Sequence, residues 1–183
     1  MTSSAAAPRT RLYVMVGIPA SGKTTWVARN LPPSVVRIQL DRIRRRVYGE
    51  YPLHLDPARE AEVWRKAGRA TAEAIRAGHD VVVDSMALTR DWRLRILAMA
   101  VPHAVGPVEA IAVFLDTPAE VALVRNRGRE KRVLESVVRE MAVHVRPPSV
   151  GEGFDRVIRV EAVPGDRAHA KGSWREAHNR SNP

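Results

Sequence analysis

The chain of 183 residues contains no cysteine, which excludes disulfides, thiolate metal sites and cysteine nucleophiles. Lysine is nearly missing: it stands only at Lys23, Lys66, Lys131 and Lys171, so almost all the positive charge is arginine. No run approaches the roughly eighteen apolar residues needed to cross a bilayer. Residues Met1 to Thr10 lack the apolar segment of a signal peptide. The expectation is therefore a cytoplasmic protein with no membrane association. The six histidines (His54, His79, His103, His144, His169, His178) form no H-x-E or H-E-x-x-H arrangement, so no zinc site is expected. No N-K-x-D guanine-recognition motif occurs, which argues against a GTPase switch and makes adenine the default base.

What is present begins with charge. Thirty Lys and Arg against twenty Asp and Glu give +10, a balance that favours anionic partners. The length suits one α/β domain with a substantial core. Within it, Gly17-Ile18-Pro19-Ala20-Ser21-Gly22-Lys23-Thr24 matches G-x-x-x-x-G-K-[ST] at every fixed position. An apolar run, Leu12–Val16, precedes it, and a helix-compatible stretch opening at Thr25 follows. Strand, glycine turn and helix start are what a phosphate cradle requires. Backbone N–H groups curl around the polyphosphate and the helix N-terminus adds partial positive charge. A chance glycine turn is the bland alternative. The full match predicts a bound nucleoside triphosphate, with Gly17, Ala20, Ser21, Gly22, Lys23, Thr24 and Thr25 lining it. Lys23 would reach the β- and γ-phosphates and the Thr24 hydroxyl would ligate Mg²⁺.

Further strands are predicted at Val35–Leu40, Asp80–Asp84, Val108–Leu115 and Phe154–Val160. Between them, helices are expected at Asp41–Tyr48, from Pro57 to about Ala77, from Arg90 to about Ala100, from Pro118 through Val124, and over Val133–Val145. Strands alternating with helices give an α/β fold with a mainly parallel five-stranded sheet and helices on both faces. Ligands then sit outside the carboxyl ends of the strands, which gathers the glycine loop, Asp41, Asp84 and Asp116 on one edge.

Phosphoryl transfer needs a metal, a base for the acceptor hydroxyl and cations on the moving group. Asp84 is a candidate for Mg²⁺ or for the acceptor, and Asp41 for the base; for either, a helix cap is the bland alternative. Asp116 is expected to be a cap. Arg125 to Arg132 carries five cationic side chains in eight residues, either a mobile lid over the phosphates or a solvated basic face. Arg44 stands three residues after Asp41 and faces the same way on a helix, suiting an acceptor that carries its own phosphate.

These residues resemble the P-loop kinases related to the 5′-kinase domain of phage polynucleotide kinase, a grouping that includes zeta toxins and tRNA kinases. The resemblance rests on G-x-P-x-S-G-K-T at Gly17–Thr24, D-x-x-R at Asp41 and Arg44, V-V-D-S at Val82–Ser85, Arg125-Asn126, and Pro147-Pro148 followed by Glu152-Gly153-Phe154-Asp155. It spans about residues 11 to 160. It implies a P-loop NTPase three-layer sandwich with a helical lid, ATP and Mg²⁺ as cofactors, and a setting in nucleic acid repair. It implies Asp41 as general base on a 5′-hydroxyl, Arg44 on the acceptor's 3′-phosphate and Asp84 placing the acceptor. A lid arginine would contact the transferring phosphates beside Lys23 and Arg125: Arg129 by its spacing, with Arg127 the alternative. Polynucleotide-kinase members often read D-T-N where this chain has Asp84-Ser85-Met86.

The reading that results is an ATP-dependent kinase acting on the 5′-hydroxyl of DNA or RNA, with Thr24 and Asp84 at the metal and no protein partner. One alternative is a kinase for a sugar, nucleoside or antibiotic hydroxyl, for which an enclosed apolar cup of Tyr48, Tyr51 and Trp64 would be the mark. Another is a nucleotide-gated regulatory module. The expected organisation is a disordered leader over 1–10, a kinase domain over 11–162 with its lid at about 125–133, and a flexible basic tail over 163–183.

Overall fold

The computed structural model describes residues 9–49, 55–162 and 175–177. Most of the expected leader and tail, together with Tyr51, His54, His169 and His178, lies outside them.

Five strands run parallel: β1 (Thr10–Val16), β2 (Val36–Gln39), β3 (Val81–Asp84), β4 (Val108–Asp116) and β5 (Arg156–Glu161). A sixth, β6 (Arg175–Ala177), pairs antiparallel with β5 in a stretch expected to be tail. The order across the sheet is β2-β3-β1-β4-β5-β6. Period-two alternation sorts the side chains. Leu12, Val14 and Val16 of β1, Val81 and Val83 of β3, and Ala110, Ala112 and Phe114 of β4 share one face. Met15, Val82, Ile111, Val113 and Leu115 share the other.

The helices are α1 (Lys23–Asn30), α2 (Leu40–Tyr48), α3 (Pro57–Arg76), α4 (Arg90–Ala100), α5 (Ala119–Arg127) and α6 (Glu135–His144). Helices α3 and α4 cover the first face through Val63, Trp64, Ala67, Ile75, Ile96 and Leu97. Helix α1 covers the second through Trp26 and Val27. The sequence sets the long helix cleanly. Pro57 occupies its first turn, where a missing N–H costs nothing, and the Asp56 side chain accepts from the Arg59 N–H at 2.8 Å. Thr89 caps α4 as expected, accepting from the Trp92 N–H. Helices α5 and α6 close over the C-terminal edge of the sheet, where Ala122, Leu123 and Val138 meet Ile18 and Leu88.

Two expectations are corrected. Asp116 caps nothing: α5 starts after Pro118 without a side-chain cap, and the Asp116 carboxylate pairs with Arg159 on the neighbouring strand. Helix α5 also runs three residues beyond Val124, so Arg125, Asn126 and Arg127 form its last turn and the irregular loop begins at Gly128.

Candidate active site

Because the five strands are parallel, their carboxyl ends gather on one edge. Gln39 is in register with Asp84, and Val16 with Phe114. Gly17 leaves β1 there with φ +150°, and a Cβ on it would stand 2.7 Å from Ser21 Oγ and 3.0 Å from the Leu115 carbonyl, so only glycine fits. Its N–H donates to the Met86 carbonyl at 2.9 Å, tying the loop to the segment after β3. Ala20 (φ 61°) and Gly22 (φ 104°) then take left-handed conformations, the backbone alternation that turns successive N–H groups into an anion-binding concavity. Ser21 is fully buried; its carbonyl accepts from Thr117 Oγ1 at 3.1 Å and from Arg125 Nη1 at 3.2 Å. Thr24 and Thr25 are exposed on the first turn of α1, at its positive end.

The Lys23 ammonium lies across this loop and donates to the carbonyls of Gly17 (2.7 Å) and Ile18 (2.8 Å). Burial lowers its pKa to about 8, while Asp84 and Asp41 raise it and Arg129 lowers it further. One ammonium thus feels Asp41, Asp84 and Arg129 together, although they come from three separate elements. Of the two lid arginines, Arg127 pairs with Glu135 at 3.0 Å. Asn126 clasps the loop between them, its side chain donating to the Val133 carbonyl at 2.6 Å and accepting from the Val133 N–H at 3.1 Å.

Asp41 does not cap α2, whose first residue is Leu40 and which has no side-chain cap. Its carboxylate is 64% exposed and accepts from Arg44 Nη1 at 2.8 Å. Arg44 itself is buried and forked onto Glu60 of α3, Nε to Oε1 at 2.8 Å and Nη2 to Oε2 at 3.0 Å. Three of its five N–H donors are thereby committed among the described residues. Asp84 is paired with Arg37 of β2, both contacts falling on Oδ2; among the described residues Oδ1 takes none. Beside it the Ser85 hydroxyl is buried with no hydrogen-bond partner among the described residues.

Sequence reasoning missed Glu60 and Arg37, whose partners lie 16 and 47 residues away. It also missed Arg93, which is 1% exposed and forked onto the buried Glu152, Nε to Oε2 at 2.6 Å and Nη2 to Oε1 at 2.7 Å. The third nitrogen of Arg93 donates to the carbonyls of Ala87, Leu88 and Arg146. This holds Ala87 at φ 42°, a costly conformation for a residue with a Cβ, in the loop whose Met86 carbonyl anchors Gly17.

Among the described residues no group of three His, Asp or Glu could hold a metal unaided. The exposed Thr24 hydroxyl on the first turn of α1 is a donor of the type that would fit Mg²⁺ shared with waters and nucleotide phosphates. The left-handed turns, the ammonium and the helix N-terminus fit a polyphosphate.

A parallel sheet, a phosphate loop and an arginine-bearing helical lid define a P-loop kinase fold, a nucleotide-binding enzyme class. A family model described as an AAA domain matches residues 12–148, and the chain belongs to that family. No curated protein matches it. Among solved structures it is similar to one from the Pnkp1/Rnl/Hen1 RNA repair complex (TM-score 0.64, 17% identity, 85% of this chain and 49% of that one). A fungal RNA kinase is similar too (0.64, 18%, 91% and 80%). So is the APS kinase CysC of Mycobacterium tuberculosis, in complex with AMPPNP and APS (0.57, 17%, 88% and 91%). The chain spans about half the length of the repair-complex protein. At these identities the likeness is one of fold. Among the described residues no helix is long and apolar enough to cross a membrane.

Proposed function

We propose that the chain transfers the γ-phosphate of ATP to the 5′-hydroxyl of DNA or RNA, with Asp41 as the general base. The observation that carries this is the Asp41–Arg44–Glu60 arrangement: an exposed carboxylate beside an arginine locked by a second carboxylate, within the electrostatic reach of Lys23. Asp41 accepts the proton of the attacking hydroxyl. Arg44 offers its guanidinium to a phosphate on the same nucleotide, which a simple sugar lacks. Asp84 Oδ1 and the Ser85 hydroxyl orient the acceptor. Lys23 and Arg129 neutralise charge on the moving phosphoryl, and Arg125 braces the loop through Ser21. Thr24 and Asp84 would hold Mg²⁺, which would supply charge neutralisation of the β- and γ-phosphates.

The cup expected of a small-hydroxyl kinase gains no support from Trp64, which is 6% exposed and stacked edge-on against Trp92 in the core. The repair-complex protein and the fungal RNA kinase of similar fold support the polynucleotide reading, and the APS kinase of similar fold supports the small-hydroxyl alternative.

The test is transfer of labelled γ-phosphate from ATP with Mg²⁺ to 5′-hydroxyl oligonucleotides, single- and double-stranded DNA and RNA, with Lys23→Ala as control. Label on the 5′ end is expected, and Asp41→Asn should lower kcat by roughly 10²–10⁴-fold, the usual worth of a general base. ATP binding without labelling of any oligonucleotide would move the search to small hydroxyl compounds. Asp41→Asn leaving biological function intact would favour a regulatory module.

A further inference from the structure

Away from the phosphate loop, α3 and α4 diverge to leave an open trough of about 400 Å³. Trp64, Arg65 and Arg69 line it from α3, and Arg95, Met99 and His103 from α4 and the turn after it. No carboxylate lines it. The Arg95 guanidinium lies 4.3 Å over the Trp64 ring, and that ring is fixed in turn by Trp92 at 5.8 Å and 82°. Stacking of this kind holds the guanidinium flat with its N–H edges turned outward. Arg65 and Arg69 do have carboxylate neighbours on the outer flank of α3, Glu62 at 3.9 Å and Glu73 at 2.8 Å. All four side chains are 42–77% exposed. Exposed pairs of this sort are worth at most about 1 kcal/mol, so an incoming phosphate displaces them cheaply.

The position of the trough gives its charge a direction. Glu60, which forks Arg44 beside Asp41, immediately precedes Ala61, the first trough residue on α3, and the trough faces round the helix from it, Trp64 by about 40° and Arg65 by about 140°. The trough therefore begins beside the acceptor clamp and continues for roughly 12 Å along the helix, from Ala61 to Arg69 at 1.5 Å per residue. A line of arginines leading away from the residue that takes the acceptor end matches a chain of phosphates.

We infer that the α3–α4 trough binds the sugar–phosphate backbone of the acceptor strand downstream of its reacting end, with Arg65, Arg69 and Arg95 on successive phosphates. The inference rests on the polynucleotide reading, and its test separates the two. Binding of a fluorescent, 5′-phosphorylated single-stranded oligonucleotide is followed by anisotropy over a salt series, so that no transfer is involved. The variants are Arg65→Glu and Arg95→Gln, separately and together, with thermal melting to confirm folding. Arg65 is exposed, so its substitution reads binding even if Arg95→Gln loosens Trp64. Removing two phosphate contacts should weaken binding about tenfold or more and reduce the slope of log K against log salt by about 1.4. In the kinase assay the variants should raise KM for long acceptors and leave that of a 3′-phosphorylated nucleoside unchanged.

Unchanged affinity and salt slope in all variants would overturn the trough, whether or not oligonucleotides are phosphorylated. An equal loss for a mononucleotide and a long strand would make it a small-anion site and overturn the strand reading. Loss of strand binding in the variants, with no transfer to any oligonucleotide by the unaltered protein, would leave the trough standing and sink the kinase acceptor.

Discussion

Lys23 is the residue on which the site's electrostatics converge, and its lowered pKa has two consequences of different sign. Its ordinary value is 10.5 and burial brings it to about 8. Between those values the unfolded chain holds a proton that the folded chain has lost, so this group alone makes stability rise as pH rises from about 8 towards 10.5. Function runs the other way. The free enzyme loses the ammonium above pH 8, so kcat/KM for ATP should fall about tenfold per pH unit beyond that point. The fall in kcat should come at higher pH, because bound phosphates hold the proton. A pH–rate profile at fixed magnesium checks it; a kcat/KM flat from pH 7 to 10 would contradict it. Glu60 makes a second residue-scale prediction. Glu60→Gln removes the charge that holds the Arg44 fork, so KM for a 3′-phosphorylated acceptor should rise several-fold while the KM for ATP stays unchanged. A coequal loss for an acceptor without a 3′-phosphate would mean that Glu60 serves folding only.

At the scale of elements, the lid is a nine-residue helix followed by a short loop that Asn126 clasps at both ends. Asn126 is 2% exposed, and Asn126→Ala leaves a buried N–H and carbonyl of Val133 without partners, a loss of about 1–3 kcal/mol. The loop should then lose its fixed path. Activity is expected to fall through kcat, with far-ultraviolet dichroism unchanged and faster proteolysis confined to residues 128–134. The elements themselves were largely legible in the sequence. Gly17–Thr24, the start of α3 at Pro57, the Thr89 cap and the strands ending at Asp84 and Asp116 all follow from residues adjacent in the chain. Asp41 and Asp84 were legible as site candidates because parallel strands fix which ends meet. Arg44 was legible as the neighbour of Asp41 from its spacing, and Glu152 stood in the Glu152-Gly153-Phe154-Asp155 run, but its buried partner, Arg93, was not legible. Arg37 and Glu60 are ordinary charged residues until the fold brings a complementary group across from them, and nothing local marks them. The same holds for Asp116, whose Thr-Pro neighbour suggested a cap while its true partner, Arg159, is one strand away.

For the whole molecule, the Arg93–Glu152 pair is a long-range tie with both side chains buried. It joins α4 to the turn before β5, and its remaining N–H groups hold the loop that meets Gly17. Arg93→Ala leaves a buried carboxylate unpaired and should destabilise the protein by about 3–5 kcal/mol, read by chemical denaturation. Glu152→Gln keeps the hydrogen-bonding shape and should cost less while still slowing transfer. Equal and small effects from both would show that water replaces the pair.

Because Arg93 and Glu152 are 59 residues apart, the pair also fixes when the nucleotide site can first exist. On the ribosome, β1, the glycine loop, β3, α4 and β4 all emerge before Glu152 does. Until then a nascent chain holds an unneutralised guanidinium at the centre of its fold, and the Arg93 side chain that holds Ala87 beneath Gly17 lacks the carboxylate that fixes it. Stalled chains ending just before Glu152 should therefore fail to retain ATP, and chains carrying it past the exit tunnel should gain that ability in a single step. The phosphate loop lies near the start of the chain, yet its assembly waits for nearly the last strand.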